Sequence, residues 1–445
     1  MRSMNLCPVA RSIFLDTLEQ VKTAGVIRSR VRYEDGVLRI GEITYPMQKL
    51  RRVMLVAIGK AAVPMCEALL PILESALSSG KILEGVVVGS TLPSTPDTRI
   101  QFFLGGHPLP DRASRQAADA ILHLLANADA TTLVLFLISG GASAMVEKPL
   151  DSEITLEETA DFHSALVRSG LPITQMNALR KHFSRVKGGR LAVAAQGATQ
   201  CTLLISDVPE GALHMVGSGP SLPDPSTIEQ SLQVIESSPD ALGSSRRVRA
   251  FFQSPDLQET PKPDHPAFKT AAWVSLLSSK DLCSNAAQLA ALAGFTVAID
   301  NSCDDWTYQA AARYLIDRLI ALQKEHTKAC VISAGEISVK LSDRHGTGGR
   351  NQQFVLECAR IMAEENLTFT VLSGGSDGID GNSPAAGAVC DRTTWSRAIA
   401  RGLHPETTLE TFNSYPLFQA LGDTIETGPT GNNLRDLRIL ISDNA

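Results

Sequence analysis

Short apolar runs rich in β-branched residues alternate with helix-like segments along this chain, and this alternation most constrains its fold. Strands that alternate with helices of ordinary length form βαβ units. We therefore expect an α/β fold with largely parallel sheets, covered by helices on both faces. The candidate strands are Val53–Ile58, Gly85–Val88, Leu133–Ile138, Thr202–Ile205, Thr296–Ile299, Cys330–Ser333, Phe369–Leu372 and Leu437–Ile441. The candidate helices are Ala62–Leu77, Ser114–Ala126, Leu156–Ser169, Ser284–Ala293, Thr307–Gln323 and Asn351–Glu365.

A proline-rich segment divides the chain, whose 445 residues are too many for one ordinary core. Residues 254–269 read SPDLQETPKPDHPAFK, where four prolines and several polar residues interrupt the apolar periodicity. The sequence therefore predicts an N-terminal domain over residues 1–255, a linker over 256–268 and a C-terminal α/β domain over 269–445.

The composition favours small-molecule chemistry in the cytoplasm. A net charge of -6 argues against nucleic acid or an anionic membrane as the main partner. No run of about 18 apolar residues could span a bilayer, and the N-terminus lacks the apolar stretch of a signal peptide. The eight cysteines show no CxxC spacing, which disfavours a zinc site or a redox pair. The sequence leaves open whether the chain forms a homodimer.

Five candidate strands end in glycine, serine or an acidic residue, namely at 59–60, 139–141, Asp207, 335–336 and 374–377. In parallel α/β sheets, ligands bind outside the carboxyl ends of strands, where loops and helix N-termini present free N–H groups. One glycine after a strand is ordinary turn chemistry, but the repeated pattern predicts a site for an anion or a phosphate group.

The standard nucleotide and hydrolase motifs are incomplete. A Walker A loop would need glycine at Met54 and serine or threonine at Ala61. The segments GSGPSL and GTGGRN both lack the last glycine of GxGxxG, which disfavours a nicotinamide-dependent reductase. GASAM fails the nucleophile-elbow pattern at its last position, so Ser143 is a poor candidate for a hydrolase nucleophile.

Two basic side chains, those of Lys60 and Arg350, lie at positions in the sequence where they could bind an anion. Lys60 follows an apolar strand directly and precedes a helix of small residues, so its amine could point into the crevice at the strand end. Arg350 follows three glycines and opens a helix at Asn351, where free amides and a guanidinium can hold an anion. A solvated turn lysine and a flexible glycine loop are the alternative interpretations.

Two further segments could contact phosphate. The stretch MNALRKHFSRVKGGRLA contains Lys181 and Lys187, which could hold a polyanion or form a solvated basic face. The loop GSGPSLPDPST could line a phosphate and metal site with the N–H groups of Ser218 and Gly219 and the carboxylate of Asp224. The alternative for this loop is a rigid connection without a ligand.

The stretch LSGGSDGIDGNSPAAGAVCD, residues 372–391, has five glycines around three aspartates. Such glycines let backbone amides approach a ligand closely at a strand end. We expect Asp377 to face the ligand, whereas Asp380 could be only structural. Near the C-terminus, Asn432 and Asn433 in ETGPTGNNLRDLRI could fix a hydroxylated ligand. Phosphate-binding loops, a basic element and acids free to hold a cation together suggest phosphoryl transfer.

These segments, taken in order, resemble the glycerate 2-kinase family, the glycerate kinases with a C-terminal MOFRL domain. The likeness covers nearly the whole chain. It is carried by AIGKAA, GGHPLPD, LISGGASAM, RKHFSRVKGGRLA, LLISDVPEG, GSGPSLPDPST, AGEISVKL, GTGGRNQQF, GGSDGIDG, AAGAVCD, NSY and TGPTGNN.

The resemblance implies phosphorylation of D-glycerate to 2-phosphoglycerate with ATP and Mg²⁺. It also implies a Rossmann-like N-terminal domain and a smaller C-terminal α/β domain, with the active site in the cleft between them. Lys60 and Arg350 would stabilise charge, and Asp207, Asp224 or Asp377 would hold the metal or orient the acceptor hydroxyl. The expected substrate- and nucleotide-binding residues are Ser139, Gly140, Gly141, Ser143, Lys181, Lys187, Ser218, Gly219, Asn351, Gly375 and Asn433.

The chain departs from the family pattern at four places: Ala142, Asn382–Pro384, Asn432 and Arg435. The second departure removes an expected carboxylate, so a related hydroxy acid could be the acceptor. Two other functions stay open, a hydroxypyruvate reductase and a non-catalytic sensor of a hydroxy acid or nucleotide.

Overall fold

The alternating apolar runs form strands of two six-stranded sheets in the computed structural model, which describes residues 6–77, 80–206, 208, 211–341 and 345–444. Every candidate strand coincides with a strand of the structure, and every candidate helix overlaps a helix. The predicted α/β class is therefore confirmed. Two compact units hold these sheets. The first unit is Thr23–Leu276, and the second unit combines Met1–Lys22 with Leu277–Ala445.

The helices and strands of the described residues are numbered here in chain order. The helices are α1 Cys7–Gln20, α2 Thr23–Arg30, α3 Ala62–Ala76, α4 Arg112–Leu125, α5 Ala142–Met145, α6 Leu156–Arg168, α7 Ile173–Phe183, α8 Arg190–Ala194, α9 Ile228–Ser237, α10 Arg246–Phe252, α11 Ser279–Leu292, α12 Tyr308–Gln323, α13 Arg350–Glu365, α14 Thr394–Ala400, α15 Pro405–Glu410 and α16 Ser414–Leu421. The strands are β1 Val31–Glu34, β2 Val37–Ile40, β3 Ile43–Pro46, β4 Arg52–Ile58, β5 Ile82–Gly89, β6 Ile100–Leu104, β7 Thr132–Ile138, β8 Thr199–Ile205, β9 Ala271–Leu277, β10 Thr296–Ile299, β11 Lys328–Gly335, β12 Thr370–Gly375, β13 Gly387–Asp391, β14 Thr424–Ile425 and β15 Asp436–Asp443.

The sheet of the first unit has the strand order β6-β5-β4-β7-β8-β9, with parallel pairing from β6 to β8. The chain runs outward from β4 to β5 and β6, and then returns to β7 on the other side of β4. The strand order therefore reverses between β4 and β7. In doubly wound sheets, the crevice at the carboxyl ends of such a strand pair is the usual place for a ligand. Ile58 is level with Ile138, so the two strands end together at this crevice.

A small antiparallel sheet of β1, β2 and β3 was missed by the sequence prediction. Asp35 and Gly36 both have positive φ angles, of 51° and 78°, and form the tight turn between β1 and β2. The Asp-Gly pair is a recognised hairpin signal. The strands on either side have only four residues each, too few for a clear alternation of apolar and polar positions.

The sheet of the second unit, β10-β11-β15-β12-β13-β14, is mixed, so the expectation of largely parallel sheets is wrong for this unit. Only β10 and β11 pair in parallel among the registers observed in this sheet. Strand β15 lies between β11 and β12 and is antiparallel to both. Strand β13 follows β12 after residues 376–386, which form no helix that could serve as a parallel crossover, and the two strands pair antiparallel.

The N-terminal helix α1 packs against the sheet of the second unit, through contacts with β12, β13 and β15. Phe14 is fully buried, and a Cβ atom added to Gly374 would lie 2.7 Å from its Cζ. At the other boundary, β9 belongs to the sheet of the first unit. The observed units thus have different limits from the predicted domains, 1–255 and 269–445. At the N-terminus the limits differ because α1, although distant in sequence from the rest of the second unit, buries its apolar residues there.

No helix in the described part of the chain is long and apolar enough to cross a membrane.

Gly374→Ala should lower the free energy of unfolding by about 1–3 kcal/mol, because the added methyl group overlaps the Phe14 ring in a packed core. Gly25→Ala is the matched control, since no atom lies within 4 Å of the added carbon and alanine favours helix α2. Urea denaturation measures both changes. Equal effects of the two substitutions would contradict the proposed packing of α1.

Candidate active site

The carboxyl ends of β4 and β7 approach each other so closely that only glycine fits between them. Gly59 has a φ angle of 125°, and an added Cβ would lie 2.3 Å from the Oγ atom of Ser139. Two hydrogen bonds lock the strand ends. The backbone N–H of Lys60 donates to the carbonyl oxygen of Gly140 at 2.9 Å, and that of Ala61 donates to Ser139 Oγ at 3.0 Å. The backbone of Lys60 is therefore fixed at the crevice between β4 and β7.

The side chain of Lys60 is half-buried beside Gly141, whose added Cβ would lie 3.2 Å from Lys60 Cγ and 3.4 Å from His107 Cδ2. Partial burial and the Lys60 charge lower the pKa of His107. Among the described residues, no carboxylate forms an ion pair with Lys60. An uncompensated ammonium group at a strand-end crevice suits an anion.

The loops at 139–143 and 217–219 are held together at the same crevice. Ser143 Oγ lies 2.8 Å from Ser218 Oγ, which in turn donates to Oδ1 of Asn177 at 2.8 Å. Gly217 has a φ angle of 57°, and an added Cβ would lie 2.6 Å from the Cβ of Ala142. The structure therefore brings together six of the predicted binding residues in the unit that contains Lys60: Ser139, Gly140, Gly141, Ser143, Ser218 and Gly219.

Lys187, predicted to hold a polyanion, lies in the core. Its side chain is 1% exposed, and its amine donates to Glu147 Oε2 at 2.7 Å and to the Val146 carbonyl oxygen at 2.9 Å. His163 Nε2 lies 2.8 Å from the same carboxylate oxygen. Burial raises the pKa of Glu147, but the Lys187 charge and the His163 hydrogen bond outweigh it and bring the pKa to about 2. In this geometry the Lys187 charge is already neutralised.

Lys181 and Asp224 form a second buried ion pair, with 2.9 Å between Nζ and Oδ1. Ser226 donates its hydroxyl to Asp224 Oδ2 at 2.7 Å and its backbone N–H to Oδ1 at 3.1 Å. Both oxygens of Asp224 thus already accept hydrogen bonds, and this arrangement does not fit a resident divalent cation. Nowhere among the described residues do three His, Cys, Asp or Glu side chains cluster so that they could hold a metal. Asp207, the other predicted metal ligand, lies outside the described residues.

In the second unit, Arg350 opens helix α13 and binds two carboxylates. Its Nε donates to Asp436 Oδ2 at 2.6 Å, and its Nη2 donates to Asp436 Oδ1 at 3.3 Å. Nη1 donates to Glu336 Oε2 at 2.9 Å. Asp436 is nearly buried, whereas Glu336 is about one-third exposed and lines a cavity of about 740 Å³ together with Arg350. An anionic ligand of Arg350 would therefore compete with Glu336 rather than with Asp436.

Asp380 is a structural residue that caps α13. Its two carboxylate oxygens accept from the backbone and side-chain N–H groups of Asn351 and Gln352, at 2.9–3.2 Å. Burial raises the pKa of Asp380 to about 6, although the backbone donors act in the opposite direction. Asn351, predicted to bind ligand, is 1% exposed and also accepts from Ser373 Oγ. Its polar atoms thus support the helix start.

The other predicted residues of the second unit lie in the loops around this helix start. Asp377 is half-buried on the wall of the 740 Å³ cavity and accepts from the Ile379 N–H at 3.1 Å. An added Cβ on Gly375 would lie 2.9 Å from the Ile379 carbonyl oxygen, so this glycine allows a close turn. Asn433 Oδ1 accepts from the Arg435 N–H at 3.1 Å. Together with Arg350, these residues form the candidate site of the second unit.

Sequence reasoning missed three residues at these sites, His107, Asn177 and Asp436, and it noted Glu336 only as the acidic residue of a strand end. Glu336 and His107 lie in quoted family segments, AGEISVKL and GGHPLPD, which was the available signal. Asp436 lies 86 positions from Arg350, and no local pattern indicates that pairing.

Two of the residues that depart from the family pattern, Arg435 and Asn432, form defined contacts within the second unit. Arg435 forms a bidentate ion pair with Asp304, at 2.6 and 2.7 Å. Asn432 Nδ2 donates to the Val21 carbonyl oxygen at 2.8 Å, which ties the last loop to the segment after α1. These side chains therefore stabilise the second unit.

Comparison with known proteins finds two family models along the chain. A family model described as a domain of unknown function, DUF4147, matches residues 9–253, and the MOFRL family model matches residues 329–436. A D-glycerate 2-kinase of Thermotoga maritima is 35% identical over 89% of this chain and 92% of its own. A putative hydroxypyruvate reductase of Agrobacterium vitis is 32% identical over 89% of this chain and 88% of its own. The crystal structure of glycerate kinase from Thermotoga maritima matches with a TM-score of 0.83 and 32% identity, over 98% of this chain and 99% of that one.

The fold is that of an α/β enzyme, and the chain matches the DUF4147 model in its N-terminal part and the MOFRL model in its C-terminal part. The chain belongs to the glycerate 2-kinase family, as its sequence motifs predicted.

Glu147→Gln should lower the free energy of unfolding by about 3–5 kcal/mol at pH 7, because it leaves the Lys187 ammonium buried without a counter-charge. The pKa of Glu147 is lower in the folded chain than in the unfolded one, so its contribution is present above pH 4.5 and is lost as pH falls towards 2. The difference in the free energy of unfolding between wild type and Glu147→Gln should therefore become smaller as the pH falls from 4.5 towards 2.

Urea denaturation at several pH values measures this difference, with Glu153→Gln as the control at an exposed position. A difference that stays constant from pH 7 to pH 3 would contradict an ionised Glu147–Lys187 pair.

Proposed function

We propose that the protein transfers the γ-phosphoryl group of ATP to the 2-hydroxyl group of D-glycerate. One observation carries this proposal beyond family membership: at the crevice between β4 and β7, no carboxylate in the described part of the chain forms an ion pair with the Lys60 ammonium group. Phosphoryl transfer depends on positioning and charge neutralisation rather than on a nucleophilic side chain. The crevice offers both, since its backbone is locked and none of the carboxylates that the structure describes neutralises Lys60.

In the proposed reaction, the acceptor hydroxyl oxygen forms a bond to the γ-phosphorus while the bond to ADP breaks. Lys60 stabilises the negative charge on the transferring group. Arg350, oriented by the two oxygens of Asp436, binds the glycerate carboxylate or the phosphoryl group through Nη1, where the ligand displaces Glu336. Asp377 or Asp207 receives or orients the hydroxyl proton. An active site formed by both units stays a prediction.

Mg²⁺ would neutralise phosphate charge in this chemistry. Because the described carboxylates do not form a cluster that fits a resident ion, we assign it to the bound nucleotide and derive no step from it. The cytoplasmic location and the homodimer likewise stay predictions.

Hydroxypyruvate reduction is the second candidate, because two relatives at 32% identity carry that name as putative. The sequence motifs argue against this activity. The chain lacks a complete GxGxxG segment after a strand, which a nicotinamide cofactor normally requires. NADH oxidation with hydroxypyruvate, measured beside ADP release with D-glycerate, distinguishes the two activities.

Lys60→Ala should lower turnover by about 100-fold or more, because it removes charge stabilisation that acts on the transition state. ADP release with D-glycerate, ATP and Mg²⁺ measures this change, and ³¹P NMR identifies the product as the 2- or 3-phosphate. Lys49→Ala removes an exposed lysine of the same unit and should leave turnover unchanged. Near-normal turnover of a folded Lys60→Ala variant would contradict the assigned role.

Arg350→Lys should also lower turnover by about 100-fold, since an ammonium group cannot pair with Asp436 in a fork and bind an anion with a third donor. The substitution keeps the positive charge beside Asp436, so the thermal unfolding midpoint should change little. Arg246→Lys, at an exposed position, is the control. Wild-type turnover in Arg350→Lys would show that a positive charge at this position is enough for catalysis, and would contradict the role given to the guanidinium group.

A further inference from the structure

A second cavity lies wholly within the first unit, between helices α7 and α9. Its volume is about 550 Å³, and its walls include Asn177, Ala178, Lys181, His214, Asp224 and Val234. Ligand pockets for molecules of drug size span roughly 300–1,000 Å³. A three-carbon acid such as glycerate would fill only a small part of this space.

The charged groups of this cavity compensate one another. The Lys181 ammonium and the Asp224 carboxylate are 2.9 Å apart, with side chains 3% and 0% exposed. Burial and the Lys181 charge lower the pKa of His214, which favours the neutral imidazole. Such a wall has no net charge to hold a carboxylate or a phosphate group. It suits an uncharged part of a ligand that forms hydrogen bonds.

The remaining walls combine apolar surface with amide groups. Ala178, Met215 and Val234 supply apolar contacts, which a flat heteroaromatic base can use. Gln175 and Gln230 supply amide groups at the rim. This mixture of apolar faces and a few polar groups is the usual composition of a small-molecule site.

A chain of hydrogen bonds connects the cavity to the anion-binding crevice. Asn177 lines the cavity and accepts from Ser218 Oγ, which lies 2.8 Å from Ser143 Oγ. Ser143 belongs to the loop that packs beside Lys60 through Gly141. A ligand that occupied both places would have an uncharged, partly aromatic end and a strongly anionic end.

We propose that this cavity, which we call the α7–α9 cavity, binds the nucleoside part of the nucleoside triphosphate, with the phosphates directed towards Ser143 and Lys60. The inference rests on the proposed function, since it assigns a place to the phosphoryl donor of that reaction. The 740 Å³ cavity of the second unit is the competing location. Among the described residues, its walls carry Asp305, Glu336 and Asp380 beside Arg350, and these carboxylates oppose the approach of a triphosphate.

Ala178→Leu tests the proposal by filling the α7–α9 cavity from one wall. We expect the dissociation constant of ADP and the KM for ATP to rise by about 10-fold or more, because the added atoms occupy the space of the nucleoside. The KM for D-glycerate should change less than about two-fold, since glycerate does not contact this cavity in the proposal. Ala126→Leu makes the same chemical change at an exposed position of the first unit and should alter none of these values.

Isothermal titration calorimetry with ADP gives the binding result independently of catalysis. Unchanged ADP binding in a folded Ala178→Leu variant would overturn the assignment of the cavity. If the wild type bound ADP and lost this binding on substitution, but did not phosphorylate glycerate, the cavity would stand and the proposed function would fall.

Photolabelling of the wild type with 8-azido-ADP does not depend on the folding of a variant. Peptide mapping should locate the label on residues 174–181 or 225–237. A label on residues 336–341 or 377–382 would place the nucleoside in the cavity of the second unit and overturn the proposal.

Discussion

The hydrogen-bonded contact between the ends of β4 and β7 is the constraint on which the candidate site of the first unit depends. The parallel register makes Ile58 level with Ile138, and the absence of a side chain at Gly59 lets the next peptide groups pair directly. The position of the Lys60 backbone and the path of the loop at 139–143 both follow from this contact. A β-carbon at Gly59 would separate the strands where the ligand is expected, so the same glycine serves folding and function.

The distribution of charge distinguishes supporting residues from candidate ligand-binding residues. Lys187 and Lys181 are buried against Glu147 and Asp224, and an ammonium group in such a place needs its carboxylate partner. Lys60 has no such partner among the described residues. Arg350 is intermediate, because Asp436 orients it from the buried side while Glu336 occupies its more exposed donor. Basic residues that were all predicted to bind an anion thus have different environments in the structure.

Long apolar strands and capped helices could be predicted from the sequence, because their signals are local. Strand β10 was predicted with the observed bounds, and helix α6 to within one residue. The glycine-rich ends of β4, β7 and β12 were also predicted from the sequence, as strand ends where a ligand could bind. The partners of the charged groups could not be predicted, since Lys187 and Glu147 are 40 positions apart and Lys181 and Asp224 are 43 apart. Such pairings depend on how helices and loops pack, and a one-dimensional pattern does not contain that information.

The most direct test of the account compares the affinity for ADP with that for a non-hydrolysable ATP analogue, in the wild type and in Lys60→Ala. If Lys60 holds the transferring phosphoryl group, the wild type should bind the analogue more tightly than ADP, and the variant should lose most of that difference while it retains its affinity for ADP. A variant that keeps the full difference would show that Lys60 does not contact the γ-phosphoryl group, and would contradict the role given to the crevice between β4 and β7.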